Sequence, residues 1–174
     1  TLASGYTLIS SPVDSDGNTT ADTQHMKQKE LADGSIIIAS PVNADGSDIT
    51  GEKKYTKQKT LASGYTLIGT PVDQDGNATA DTTYSKQKEL ADGSVIIASP
   101  VNADGTDIAG ETKYTKQKTL ASGYTLIGTP VDQDGNATAD TTYSKQKELA
   151  DGSVIIASPV NADGSDIAGE TKYT

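Results

Sequence analysis

Leu2, Leu61 and Leu120 recur at one fixed interval, as do Gly5, Gly64 and Gly123, and the whole chain follows that period. A repeat this regular limits what the chain can fold into. Each copy must make the same contacts with its neighbours, so packing is between successive units and not around one centre. Segments 60–115 and 119–174 differ only at Thr106 against Ser165, and 1–59 differs from 60–118 at eleven positions. The units are therefore 1–59, 60–118 and 119–174, the last ending just before its expected "KQK". A chain that begins and ends inside a repeat is expected to be a piece of a longer array.

Each unit is two related halves. "TLASGYTLIGTPVDQDGNATADTTYSKQK" (60–88) aligns with "ELADGSVIIASPVNADGTDIAGETKYTKQK" (89–118), and the other half-repeats are 1–29, 30–59, 119–147 and 148–174. The second half is longer than the first by a single position, and the six halves leave no sequence for a separate catalytic domain. Ala-Ser-Gly or Ala-Asp-Gly marks one turn and Asp-Gly the other. Between them "YTLIGT" and "SVIIAS" are β-rich and too short for a stable helix. Tyr55, Lys57, Lys59 and Leu61 alternate with Thr56, Gln58, Thr60 and Ala62, as the two faces of a strand do. The fold class is all-β, an elongated tandem β-repeat array.

Two architectures satisfy this pattern. One is hairpin or meander units strung lengthwise; the other is a β-solenoid with one half-repeat per coil. Stacking "KQK" on "KQK" at about 5 Å would build a lysine ladder, which disfavours the solenoid. The arms between turns are unequal, Gly64 to Gly76 being much shorter than Gly76 to Gly93. The longer arm must bend, bulge or split, and the extra position of the second half, near Gly51, Gly110 and Gly169, suggests a glycine bulge. The prolines at 12, 41, 71, 100, 130 and 159 are expected to cap strands or lie on edges.

Composition narrows function. There is no Cys, Trp, Phe or Arg, and 33% hydrophobic content gives little material for a thick core. A net charge of −10 argues against a nucleic-acid partner, which would want a basic face. No stretch is apolar for long enough to insert in a membrane as a helix. Ser, Asp and Lys recur only as copies at repeat spacing, His25 is the single histidine, and an active site is normally one singular constellation. The chain is read as no enzyme. His25 stands where Tyr84 and Tyr143 stand in the other copies, as a drifted aromatic position.

The Asp-Gly-Asn turns are the candidate sites. In "DQDGNATAD" the residues Asp73, Asp75, Asn77 and Asp81 fall at positions 1, 3, 5 and 9 of a loop, a spacing of oxygens that suits Ca²⁺. The same sets are Asp14, Asp16, Asn18 and Asp22, and Asp132, Asp134, Asn136 and Asp140. The glycine sits at position 4 instead of 6, and no Glu follows at 12. The competing reading is a hairpin turn, with Asp-Gly supplying the positive-φ residues and no cofactor required. Tyr-x-Lys-Gln-Lys reads as a half-exposed strand whose lysines keep the edge soluble.

Near-identical tandem copies with Asp-Gly turns, Thr-rich strands, acidic charge and no Cys resemble the stalk and fibre regions of large bacterial surface adhesins. Asp73, Asp75, Gly76, Asn77 and Thr79 also resemble the YD/Rhs β-repeats, although those are shorter and carry Tyr-Asp where this chain has Val72-Asp73. The first resemblance implies an extracellular, cell-surface spacer, stalk or fibre element in adhesion or a biofilm matrix, partnered by neighbouring copies. The alternatives are a multivalent module binding a glycan, surface polymer or protein, and a YD/Rhs-like shell.

Overall fold

The computed structural model describes residues 1–51 and 54–174, and among these the chain is all-β. The strands are β1 (Thr7–Val13), β2 (Thr19–Glu30), β3 (Ile36–Ala39), β4 (Tyr55–Thr60), β5 (Thr66–Val72) and β6 (Ala78–Glu89), followed by β7 (Val95–Ser99), β8 (Lys113–Thr119), β9 (Thr125–Val131), β10 (Ala137–Glu148), β11 (Val154–Ser158) and β12 (Lys172–Tyr173). They form one open antiparallel sheet in sequence order. By packing the chain divides into two compact units, Thr1–Tyr84 with Ala103–Gly105, and Ser85–Asn102 with Thr106–Thr174.

Apolar and lysine-bearing strands alternate. In the first unit Lys57 of β4 lies opposite Ile37 of β3 on one side and Gly69 of β5 on the other. In the second, Lys116 of β8 lies between Ile96 of β7 and Gly128 of β9. No "KQK" segment is paired with another in these registers, so the like-charge ladder is avoided by threading lysines between hydrophobic strands.

The Asp-Gly turns and the Ala-Ser-Gly and Ala-Asp-Gly turns among the described residues close in one way. Asp73 N–H donates to the Asn77 carbonyl at 3.0 Å and Gly76 N–H to the Asp73 carbonyl at 3.0 Å; Leu61, Gly64 and Tyr65 repeat this at 2.7 and 3.0 Å. This is a type I turn followed by a left-handed residue, the three-residue hairpin loop. Gly76 has φ +79°, and among the described residues none other than glycine has positive φ. The expectation that Asp and Gly both adopt positive φ is therefore corrected: the aspartate keeps ordinary backbone angles, and the glycine alone is left-handed.

The long arms bulge in one half and split in the other. Between Ser11↔Gln24 and Val13↔Thr19 the register shifts, leaving residues 20–23 looped out of β2, and β10 does the same between Thr142↔Thr129 and Ala137↔Val131. A threonine clasps each bulge. Thr141 Oγ1 accepts from Thr138 N–H at 2.7 Å and donates to the Pro130 carbonyl at 2.5 Å. In the second half Thr171 Oγ1 accepts from Ile167 N–H and donates to the Pro159 carbonyl, with Gly169 at φ +80° taking up the extra position. Glycine thus marks the extra position as expected, but in a turn where the arm splits and not in a strand bulge, since 20–23 and 138–141 contain no glycine. The prolines divide: Pro41, Pro100 and Pro159 follow strand ends, whereas Pro12, Pro71 and Pro130 lie inside β1, β5 and β9. In β1 and β9 the proline falls at the register shift, where its missing N–H breaks no ladder.

The core lies on one face of the sheet. In the first unit Tyr6, Ile37, Ala39, Val42, Tyr55 and Val72 pack together, with Leu2, Leu8 and Leu31 against them. The Asp-Gly turns cover this face: a Cβ on Gly76 would lie 2.8 Å from Ile37 Cδ1, and one on Gly46 would lie 2.5 Å from Leu2 Cδ1. The second unit repeats the arrangement, with Gly135 over Ile96 and Gly164 over Leu120.

One strand–strand contact distinguishes the copies. A Cβ on Gly69 would lie 2.7 Å from Tyr84 Cε1, so glycine is needed for the ring to lie across β5. In the first unit's opening copy the aligned residues are Ser10 and His25, whose Oγ and Nδ1 are 2.7 Å apart. Drift at His25 is therefore a coupled exchange, a smaller ring admitting a side chain that bonds to it. Gly69→Ser alone is expected to destabilise by about 1–3 kcal/mol through overpacking. Adding Tyr84→His should restore part of that loss, and a denaturation double-mutant cycle with zero coupling would refute the pairing.

Candidate functional site

The three Asp-Gly-Asn turns satisfy themselves. Asp73 Oδ1 accepts from the backbone N–H groups of Asp75 at 2.9 Å and Asn77 at 2.8 Å, and Oδ2 from Asn77 Nδ2 at 3.1 Å. Asp14 and Asp132 make the same bonds. These donors hold all three carboxyls below the usual carboxylate range, the Asn18, Asn77 and Asn136 N–H groups respectively contributing most. Asp16, Asp75 and Asp134 are exposed at the turn tips, and Asp22, Asp81 and Asp140 on the bulges. Among the described residues no group of three or more carboxylate, imidazole or thiol side chains gathers closely enough to hold a metal.

Bonds within the chain close each of these turns. Melts followed by circular dichroism in millimolar Ca²⁺ and in EDTA are expected to superimpose. A higher midpoint in Ca²⁺, lost on Asp73→Ala with Asp75→Ala and the matching changes in the other copies, would establish the calcium loop instead.

The lysine strands carry the less expected chemistry. Lys27 of β2 is buried, only 7% exposed, on the core face. Its Nζ donates to the Gly46 carbonyl at 2.9 Å and to Asp48 Oδ1 at 2.7 Å, between the rings of Tyr6 and Tyr55 at 5.4 and 5.5 Å. The Tyr55 hydroxyl donates to the same carboxylate at 2.7 Å. In the second unit Lys86 meets Asp107 and Tyr114, and Lys145 meets Asp166 and Tyr173, with ion pairs of 2.7 and 2.6 Å. A solubilising role for these lysines is thus corrected. The first lysine of "KQK" faces inward because Tyr and Lys share one strand face, and an Asp-Gly turn brings a carboxylate over that face.

Burial lowers the Lys27 pKa, but the bonds to Asp48 and Tyr55 outweigh it and leave it above its ordinary value. Burial pushes the Tyr6 hydroxyl, which donates to the Gln74 carbonyl at 2.6 Å, up to about 12.

Each unit also contains a pocket of about 360 Å³. In the first unit Lys57, Lys59, Leu67, Val72, Ala78 and Tyr84 line it, with Asp33 at the rim. In the second the lining is Lys116, Lys118, Leu126, Val131, Ala137 and Tyr143, with Asp92. Lys59 and Lys118 pair with those aspartates at 3.6 and 3.4 Å. The Ser35 and Ser94 hydroxyls donate to Asp33 and Asp92, which with the serine N–H groups brings both carboxyls down to about 2.

Sequence reasoning placed Tyr and Lys on one face but not the inward clusters or pockets. The available signal was the aspartate after the second-half turn, in "DGSD" and "DGTD", which the first half lacks. Comparison with protein-family models, with curated proteins and with solved structures gave no match.

Proposed function

We propose that this chain is a structural repeat segment acting as a spacer, stalk or fibre element of an extracellular, cell-surface protein. The observation that supports this most is the docking of each Asp-Gly turn on the leucine of the preceding half-repeat. Leu2 meets Gly46, Leu31 meets Gly76 and Leu61 meets Gly105 in one unit, and Leu90 meets Gly135 and Leu120 meets Gly164 in the other. These contacts link successive half-repeats, and the Tyr6 hydroxyl, which reaches the Gln74 carbonyl, skips a single half-repeat, so packing stays local and length can change by whole units. The acidic charge, the repeat style and the absence of a catalytic constellation in the sequence agree with this reading. Proteins with one whole repeat added or removed test it. A spacer's maximum dimension in small-angle scattering should change by a constant increment per repeat, with the circular dichroism per residue unchanged. A dimension that stays constant would refute the reading.

The two equivalent pockets favour a second reading, a multivalent module that holds a ligand by avidity. Among the described residues no helix is long and apolar enough to cross a membrane.

A further inference from the structure

The pockets are explained by what the other half-repeats place there. Lys86 is covered by Asp107 from the following turn, and its counterpart Lys27 lies between Tyr6 and Tyr55. Around Lys57 two of the aligned positions hold smaller groups. The residue corresponding to Tyr6 is Ser35, and the residue corresponding to Asp48 and Asp107 is Ala78. The tyrosine corresponding to Tyr55 and Tyr114 is retained as Tyr84. Lys116 has the same surroundings, with Ser94, Ala137 and Tyr143. Loss of a ring and a carboxylate leaves a half-buried ammonium beside an apolar floor of Leu67 and Val72.

Lys57 and Lys116 have no hydrogen bond or ion pair among the described residues; Lys59 and Lys118 pair with Asp33 and Asp92, and Asp33 feels the charge of Lys57 as well as that of Lys59. Two ammoniums and one carboxylate leave each pocket one positive charge, in a chain whose net charge is −10. A half-buried ammonium beside apolar surface calls for one carboxylate on a short arm, which is what Asp107 supplies to Lys86 within the chain itself.

We propose that the Lys57 and Lys116 pockets each bind an organic monocarboxylate of small size, its carboxylate against the lysine in the position Asp107 takes against Lys86. Tyr84 and Tyr143 stand where Tyr114 donates its hydroxyl to Asp107, and the ligand's arm rests on Leu67 and Val72, or on Leu126 and Val131. The inference does not depend on a spacer role.

The carboxylate could belong to an acidic side chain or to a sugar acid, so the test uses both. Glutaric acid monoamide mimics the first, galacturonate is the second, and propionamide is the uncharged control, each titrated into the ¹⁵N-labelled chain. One or both acids should shift the amides of Gly76, Asn77, Gly135 and Asn136 saturably, and propionamide should not; the tighter acid names the source. Lys57→Gln with Lys116→Gln should weaken binding about tenfold or more, as expected for loss of a charged partner. Ala78→Asp with Ala137→Asp, restoring the internal carboxylate, should abolish binding while raising Tm. Absence of saturable shifts with either acid, or binding that survives the Ala→Asp changes in a folded chain, overturns the proposal.

Discussion

Replacing Asp48 by Ala is expected to lower the stability of the first unit by about 3 kcal/mol, the low end of the cost of leaving a buried charge unpaired. Lys27 would keep the Gly46 carbonyl and two aromatic faces but lose its paired anion and the acceptor shared with Tyr55. The equivalent change Asp107→Ala should cost only about 1 kcal/mol, because water reaches that pair, and Asp166→Ala should be the mildest of the three. Asp48 has a side-chain exposure of 24%, against 46% for Asp107 and 47% for Asp166. Urea denaturation of the three single variants measures the gradient, and equal losses would contradict it. Alkali should act on the same clusters. The raised pKa values of Lys27, Lys86, Tyr55 and Tyr114 contribute stability that is complete below their ordinary values and is lost as pH rises through the folded ones. The Tm should therefore fall above about pH 10.

The second large effect concerns isoleucine. Ile37 and Ile96 have no exposed surface, and each lies beneath a turn glycine, Gly76 or Gly135. Truncation to Ala strips most of the side chain from a core only one face deep, with a rigid turn above that cannot easily collapse into the space. A loss of about 3–5 kcal/mol is expected for either variant, in the upper range for such truncations. Ile36 and Ile38, on the opposite face of β3, are only half-buried, and their Ala variants should lose about 1–2 kcal/mol in proportion to the area they cover. Losses of similar size at Ile37 and Ile38 would mean that the sheet is covered on both faces.

The strands and turns were legible because their signals are local. Gly at fixed offsets marks every hairpin, and alternation places Tyr55 with Lys57 on one face and Thr56 with Gln58 on the other. The polarity of those faces was not legible. Lysine on a strand ordinarily signals the solvent side, and the signal reverses here only because Asp48, far along the chain from Lys27, is carried over it by a turn. The Asp-Gly-Asn turns show the same limit. Oxygen spacing alone does not reveal that Asp73 accepts N–H groups on both oxygens within its own loop. The pockets depend on comparing the halves position by position, where Ala78 and Ser35 stand opposite Asp107 and Tyr6.

The pairing of Gly69 with Tyr84, and of Ser10 with His25, bears on how such an array can be inherited. Near-identical tandem segments invite unequal crossover, which deletes or duplicates stretches of coding sequence. Both members of each pair lie within one hairpin, so an exchange outside that short stretch carries them together. The leucine and glycine that join one half-repeat to the next are the same at every junction, so any recombinant junction still fits. Gene length in such an array can drift freely while each hairpin keeps a matched ring and floor.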